Sequence, residues 1–109
     1  LLFTSIQRLD VVAEQVILAS TENVVERVLY ELSARKMRSL LVEGGAELLG
    51  HFLSGGLWDE ARVITGEAVF GAGTPSPTFD QPVLRAGRSG IDRIQYFTRA
   101  ITPEATWAW

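Results

Sequence analysis

Cysteine is absent from this sequence, histidine and methionine occur once each, and proline only four times in 109 residues. Without cysteine there is no disulfide framework and no thiolate metal site. His51 alone cannot assemble a zinc centre, which needs several converging ligands. No apolar run approaches the ~18 residues of a transmembrane helix, so no membrane partner is expected. No basic segment leads into an apolar stretch and a small-residue cleavage site, so nothing marks the chain for export and a cytoplasmic protein is the default. An excess of basic charge is also missing. Ten Lys and Arg stand against thirteen Asp and Glu, a net charge of -3, which argues against a nucleic-acid partner held by phosphate neutralisation. The chain opens LLFTSIQRLD, with no Met and with strand-like residues from the first position. Domains usually begin with a less ordered lead-in, so this reads as a piece of something longer.

What is present is an ordinary globular balance, 47% hydrophobic and 21% charged, in one domain's length of chain. Leu1–Ser5 and Gln15–Ala19 suit strands, the second as a short run buried on both faces. Ser20 or Thr21 then offers a helix cap. Val25, Val28, Leu29 and Leu32 fall at helical spacing, with Glu22 and Glu26 at the positive end and Arg35, Lys36 and Arg38 at the negative end. Ser39–Glu43 reads as a strand, and Ala46–Ser54 as a helix with Leu48, Leu49, Phe52 and Leu53 on its apolar side. Gly55-Gly56 closes that helix. Ala61–Thr65 is a further strand. Gly66–Pro82 holds three of the ten glycines and three of the four prolines and reads as a long surface loop, of the kind that carries function or disorder. Pro82–Ala86 suits an edge strand, Gly87–Asp92 a turn, Arg93–Arg99 a half-buried strand, and Thr102–Trp109 a tail. The order predicts an α/β fold, with Gln15–Glu43 as a strand–helix–strand unit that crosses over between parallel strands.

Chemistry concentrates in Leu40–Gly50, LLVEGGAELLG. A strand ends in Glu43, two glycines turn the backbone, and a helix begins with free amides and a positive dipole aimed beyond the strand end. In open α/β sheets that edge is the ligand crevice. Magnitude restrains the reading: the dipole contributes about 0.3–1 kcal/mol, whereas micromolar binding needs roughly 8 kcal/mol. Such a corner orients a phosphate and cannot hold a cofactor unaided. The pattern matches neither GxGxxG nor GxxxxGK[ST], and a purely structural tight turn is the competing reading. Glu43 is either a ligand-facing acid or a cap on the following turn, and Glu47 suits the positive helix end. His51 reads as solvent-facing, since no Ser/His/Asp or Cys/His set surrounds it, and no catalytic residue is assigned. Asp59-Glu60 reads as turn residues rather than a metal pair. Trp58, Trp107 and Trp109 suit a core or an interface before base stacking. Arg85, Arg88, Arg93 and Arg99 form a basic fringe, with a phosphate clamp as the minor alternative.

Leu41–Arg62, LVEGGAELLGHFLSGGLWDEAR, resembles the block VEGG(A)xLL…F…GL(V/W)DE(A/L)R(V/L) of the C-terminal reductase domain of the bifunctional riboflavin-biosynthesis deaminase/reductases, the RibD family. Phe70–Gly73 falls in that family's variable loop, Asp92–Phe97 resembles its closing strand, and the helix Asn23–Met37 fits as well. The resemblance implies a partial dihydrofolate-reductase-like three-layer fold, α/β, with a mostly parallel sheet and a β-rich antiparallel C-terminal end. It implies NADPH as cofactor and hydride transfer to ribosyl C1′ of a pyrimidine ribosyl phosphate, 5-amino-6-(5-phosphoribosylamino)uracil. It assigns Glu43 to substrate, and Gly45, Ala46, Glu47, Leu48, Leu49, Gly50 and His51 to the cofactor. Residues 1–109 then correspond to the C-terminal portion of such a domain. The first half, with a Ser/Asp-containing loop and a substrate-binding arginine, has no equivalent here, nor does the zinc deaminase half with its HxE and PCxxC ligands. The chain alone is therefore expected to be inactive or nearly so. A half-domain sheet leaves strand edges unpaired, so at least a homodimer is expected, and a non-catalytic assembly module is the alternative from another class. A same-fold reductase with a different heterocyclic substrate is the third.

Overall fold

The computed structural model describes residues 1–99, and the chain divides into two compact units, Leu1–Val42 and a second that starts at Glu43. The expected tail Thr102–Trp109 lies outside the described residues.

In the first unit, β1 (Leu2–Thr4) and β2 (Gln15–Ile17) pair in parallel, with Phe3 opposite Val16. Parallel neighbours usually need a crossover of a dozen or more residues; here the connection is the loop 5–14. Gln15 makes that possible. Its Nε2 donates to the Arg8 carbonyl at 2.7 Å while its Oε1 accepts from the Arg8 amide at 2.8 Å, so one side chain satisfies a loop backbone that has no ladder. Of the run Val16–Leu18, only Val16 is buried, and Ile17 is half exposed. The strand is covered on one face, not both.

Helix α1 (Val24–Ala34) starts at Asn23, whose Oδ1 accepts from the amides of Val25 and Glu26 at 3.1 and 3.3 Å. Ser20 and Thr21, the expected caps, lie in a turn instead, where Glu22 Oε2 accepts from the Ala19 amide at 2.8 Å. Asn is among the best N-caps and stands directly before the apolar stripe, so it displaces them. Val25 is buried and Val28, Leu29 and Leu32 half-buried, as the spacing predicts. The helix ends in a Schellman motif: the Met37 amide donates to the Leu32 carbonyl at 3.0 Å and the Lys36 amide to Ser33 at 2.9 Å. Lys36 takes the left-handed position at φ 61°, where a Cβ is unfavourable.

Carboxylates bind the C-terminal end of α1 to the loop. Glu31 accepts from Arg27 and Arg35, each at 2.9 Å, and Arg35 also reaches Glu14 in the β1–β2 loop, at 2.9 Å through Nη1. The Arg27 and Arg35 guanidiniums hold the Glu31 carboxyl below its ordinary value, and Arg35 does the same to Glu14.

The strand expected at Ser39–Glu43 does not form: residues 37–45 are irregular. Leu40 and Leu41 are 46% and 67% exposed. A strand exists only through a neighbour's hydrogen bonds, and among the described residues this apolar run has none. The predicted crossover from Gln15 to Glu43 therefore lacks its second strand.

The second unit begins with α2 (Ala46–Ser54), at the predicted bounds. It too ends in a Schellman motif, Leu57 amide to Phe52 carbonyl at 2.9 Å and Gly56 amide to Leu53 at 3.1 Å. Gly56 occupies the left-handed position at φ 64°. Then follow β3 (Glu60–Thr65), β4 (Arg85–Ser89) and β5 (Asp92–Thr98), an antiparallel sheet in the order β3-β5-β4. The expected turn Gly87–Asp92 is shorter than its glycines suggest. Residues 87–89 pair in β4, and only Gly90-Ile91 turns, with Gly90 at φ 60° in the first position of a two-residue hairpin. Pro82 precedes the strand rather than opening it.

The parallel content is thus one three-residue pair and the larger sheet is antiparallel, so "mostly parallel" does not describe it. The fold class stands as a small α/β arrangement of two helices, a parallel pair and a three-stranded sheet. Among the described residues buried apolar side chains are few: Val16 and Val25 in the first unit, Phe52 and Phe97 in the second.

Two measurements test this packing. Lys36→Gly relieves the left-handed residue and is expected to stabilise the protein by about 0.5–1 kcal/mol in urea denaturation. Because Glu14 and Glu31 titrate low in the folded state, their contribution is present above the ordinary carboxylate range. It is lost as pH falls below about 4.3. Arg35→Gln is expected to flatten that acid limb in thermal melts recorded from pH 7 to pH 3.

Candidate functional site

Glycine at position 44 is required by its backbone. Gly44 has φ 151°, a region closed to side chains, and the Gly44–Gly45 peptide bond is cis. Gly45 is the N-cap of α2 with φ -75°, and being glycine it offers no side-chain acceptor to the first turn. The first backbone bond of the helix runs from the Leu49 amide to the Gly45 carbonyl at 3.0 Å. Among the described residues, the amides of Ala46, Glu47 and Leu48 have no acceptor, the usual fate of a helix start left uncapped. A Cβ built on Gly44 or Gly45 would meet nothing within 4 Å. The corner is open, and neighbouring side chains do not plug it.

Glu43 immediately precedes this corner. It is exposed, and among the described residues it makes no hydrogen bond or ion pair, so it does not cap the turn that follows. Glu47 lies exposed in the first helical turn. Leu48 is exposed at 41%, while Leu49 is half-buried, so the helix turns Leu49, Phe52 and Leu53 inward and Leu48 outward. His51 is exposed in the last turn, as its sequence position suggests.

A groove of about 410 Å³ runs along α2 from Ala46 past Gly50 to Ser54, walled on the other side by Pro75–Gln81 of the long β3–β4 loop. Ala46 and Gly50 keep its floor low, and a Cβ on Gly50 would meet nothing within 4 Å. Part of its lining is aromatic. Trp58 sets its edge on Phe79 at 5.6 Å between centroids, and Phe79 stacks on buried Phe97 at 4.4 Å. The loop wall is thus tied to the middle strand of the sheet. Arg99 Nε donates to the Trp58 carbonyl at 2.8 Å, and the Arg99 amide to the Asp59 carbonyl at 3.0 Å, which fixes the segment between α2 and β3.

Of the residues singled out from the sequence, Ala46 and Gly50 line the groove, whereas Glu43, Gly45, Glu47 and Leu49 do not. His51 and Leu48 are on the helix but do not line the groove. The four C-terminal arginines do not converge as a phosphate clamp. Arg85 lies over the Tyr96 ring at 4.3 Å, Arg88 donates to the Ile91 carbonyl at 2.9 Å, Arg99 holds Trp58, and none of the four lines the groove. No cluster of three metal-binding side chains occurs among the described residues, and Asp59 serves through its carbonyl. Trp107 and Trp109 lie outside the described residues. Phe79 and Asp80 are groove residues that sequence reasoning did not name. Their signal was the loop itself, whose length is of the kind that carries function or disorder and whose Pro75-Ser76-Pro77 stiffens the wall.

The second unit thus carries an uncapped helix start and a groove along the same helix. Residues 4–99 match the family described as the RibD C-terminal domain, and the chain belongs to that family, which comprises reductase domains of dihydrofolate-reductase-like fold. Among curated proteins and among solved structures no match is found. Reductases of this family generally use NADPH. The corner fits an anionic cofactor in two respects: three amides without acceptors, and no side chain over them.

The two glycines differ in what they tolerate. Gly44→Ala places a Cβ at φ 151° and is expected to cost about 1–3 kcal/mol. Gly45→Ala, at an ordinary φ and facing open space, is expected to cost less, about 0.5–1 kcal/mol, since Ala is a poor N-cap. Urea denaturation of both variants checks the contrast.

Proposed function

We propose that this chain is the C-terminal portion of an NADPH-dependent reductase domain whose parent acts on 5-amino-6-(5-phosphoribosylamino)uracil in riboflavin biosynthesis. The observation that carries the reading is the open, uncapped corner Gly44–Gly45–Ala46 beside an unpaired Glu43. The amides of Ala46, Glu47 and Leu48 orient a cofactor phosphate, and Gly45 and Gly50 keep side chains out of its way. Glu43 faces the polar substrate as a hydrogen-bond acceptor. When bound, NADPH supplies the hydride for ribosyl C1′, and the protein's part is position and electrostatic environment. Leu49 acts by anchoring α2 inward. His51 and Leu48, which do not line the groove, are peripheral to this assignment. The assignment carries with it a cytoplasmic setting.

A second reading has its own observation. Large apolar side chains stand exposed, among them Ile64 at 62% on the edge strand β3, and β4 is the opposite edge of the sheet. Assembly with a second copy would cover such edges. A dimer is compatible with either function. Light scattering tests it, with a stable monomer at high concentration as the contrary result.

The cofactor assignment has a test at one atom. Proline is well tolerated at the first residue of a helix, and Gly45 already has the extended backbone a following proline requires. Ala46→Pro thus deletes one amide donor and leaves the helix standing. NADPH affinity, followed by its fluorescence, is expected to fall about tenfold or more, the worth of one charge-assisted hydrogen bond. Glu47→Gln, which removes an opposing charge, is expected to tighten binding by about twofold. Unchanged affinity in both variants would remove the phosphate from this corner.

A further inference from the structure

The three-stranded sheet has two unlike faces. Side chains alternate along a strand, and the register of β3, β5 and β4 sorts them into rows. Phe97 belongs to one face and is the buried residue of the sheet. The other face carries three successive rows: Arg62, Tyr96 and Arg85, then Ile64 and Ile94, then Asp92. None of these six is buried, and Ile64 is 62% exposed. The Arg62 and Arg85 guanidiniums lie 5.2 and 4.3 Å from the centroid of the Tyr96 ring. Two strands thus bring positive charge to one phenol on the strand between them.

Ile94 stands midway between Asp92 and Tyr96, two residues or about 6.8 Å from each. Consider a second copy laid face to face and related by a twofold axis that crosses the strands at Ile94. Ile94 then meets Ile94 and Ile64 meets Ile64, while each Asp92 comes over the other copy's Tyr96, between its two guanidiniums. Glu60, one row outside Arg62, falls past the end of the other copy's β3. The face is its own complement, as an isologous contact requires: apolar at the axis, with opposite charges at both ends. We propose that two copies of the chain pair through this face, with Ile64 and Ile94 at the axis and the Asp92 of each received by Arg62 and Arg85 of the other. This is independent of the cofactor reading and deepens the assembly reading above, moving the contact from the strand edges to a face. Three strands about 4.8 Å apart and about 20 Å long present on the order of 300 Å², well under the about 800 Å² per partner of a standard interface. The dimer is therefore weak and concentration-dependent, and charge sets its register more than its strength.

Sedimentation velocity from low to high micromolar concentration is expected to show a monomer–dimer equilibrium for the wild-type chain. Asp92→Lys alone, or Arg62→Glu/Arg85→Glu alone, sets like charges against each other at both ends and is expected to weaken the dimer about tenfold or more. Mixed in equal amounts, the two variants restore opposite charges at both ends and are expected to recover it. Ile64→Lys, at an exposed position, sets two cations at the axis and is expected to weaken the dimer as strongly, with circular dichroism confirming the fold of each variant. A dimer unchanged in Asp92→Lys and Ile64→Lys overturns the face and leaves pairing through the edges standing. Failure of two folded charge variants to recover on mixing overturns the register of Asp92 on the arginines. If the double variant does not fold, Asp92→Lys and Ile64→Lys decide alone. A wild-type chain that stays monomeric throughout removes this proposal and the assembly reading together.

Discussion

Three backbone donors at the start of α2 have no acceptor among the described residues, and the rest of the site is arranged around that fact. Helix α1 shows the alternative this chain uses elsewhere, since Asn23 satisfies two first-turn amides with one side-chain oxygen. At α2 the same position holds Gly45, which satisfies none. A good cap contributes about 1 kcal/mol, so the second helix forgoes a stabilisation that the first one takes. Gly44 extends the same choice, because its φ of 151° admits no side chain. A corner left bare at two successive positions keeps amides presented to solvent, or to whatever anion arrives. The compensating stabilisation comes from the other end of the helix, where the Schellman motif satisfies the Phe52 and Leu53 carbonyls and Phe52 is buried.

Pairing explains where regular structure stops. Strand β5 is flanked on both sides, by β3 over six residue pairs and by β4 over five, and it is the strand that buries Phe97. Phe97 in turn carries Phe79, and Phe79 carries the wall of the groove. The chain of support runs from sheet register to aromatic stack to binding surface. Ser39–Glu43 illustrates the converse. Its composition suits a strand, but composition does not supply hydrogen-bond partners, and Leu40 and Leu41 remain exposed.

Elements whose determinants are local were legible from the residues. Ala46–Ser54 has its breaking glycines on both sides and an apolar stripe between, and both bounds hold. The stripe of α1 is equally local. What eluded sequence reasoning depended on distant groups. Ser20 and Thr21 were reasonable caps, but Asn23 sits nearer the stripe and wins the amides. Residues 87–89 looked like turn chemistry, yet the register against β5 draws them into a strand. The corner at Gly44–Gly45 was legible because glycines and helix start adjoin in sequence. Phe79 and Asp80 were not, because a groove formed by a helix and a loop some twenty to thirty residues later leaves no periodic trace.

Charge decides how such a site divides its work. Glu43 and Glu47 lie next to the α2 start in sequence and Asp80 lines the groove, in a chain of net charge -3. A phosphate entering here meets no basic side chain along the groove, so the amides alone oppose three carboxylates. With about 0.3–1 kcal/mol from the helix dipole and about 1.5–3 kcal/mol for each charge-assisted bond, the corner orients an anion more than it retains one. Under the proposed reading, retention has to come from burial of the ligand's apolar parts elsewhere, through the area removed from water. Under that reading the acids then act as a filter. They oppose ligands that bring charge without a ring, and they leave the amides available to a phosphate that arrives already tethered to one.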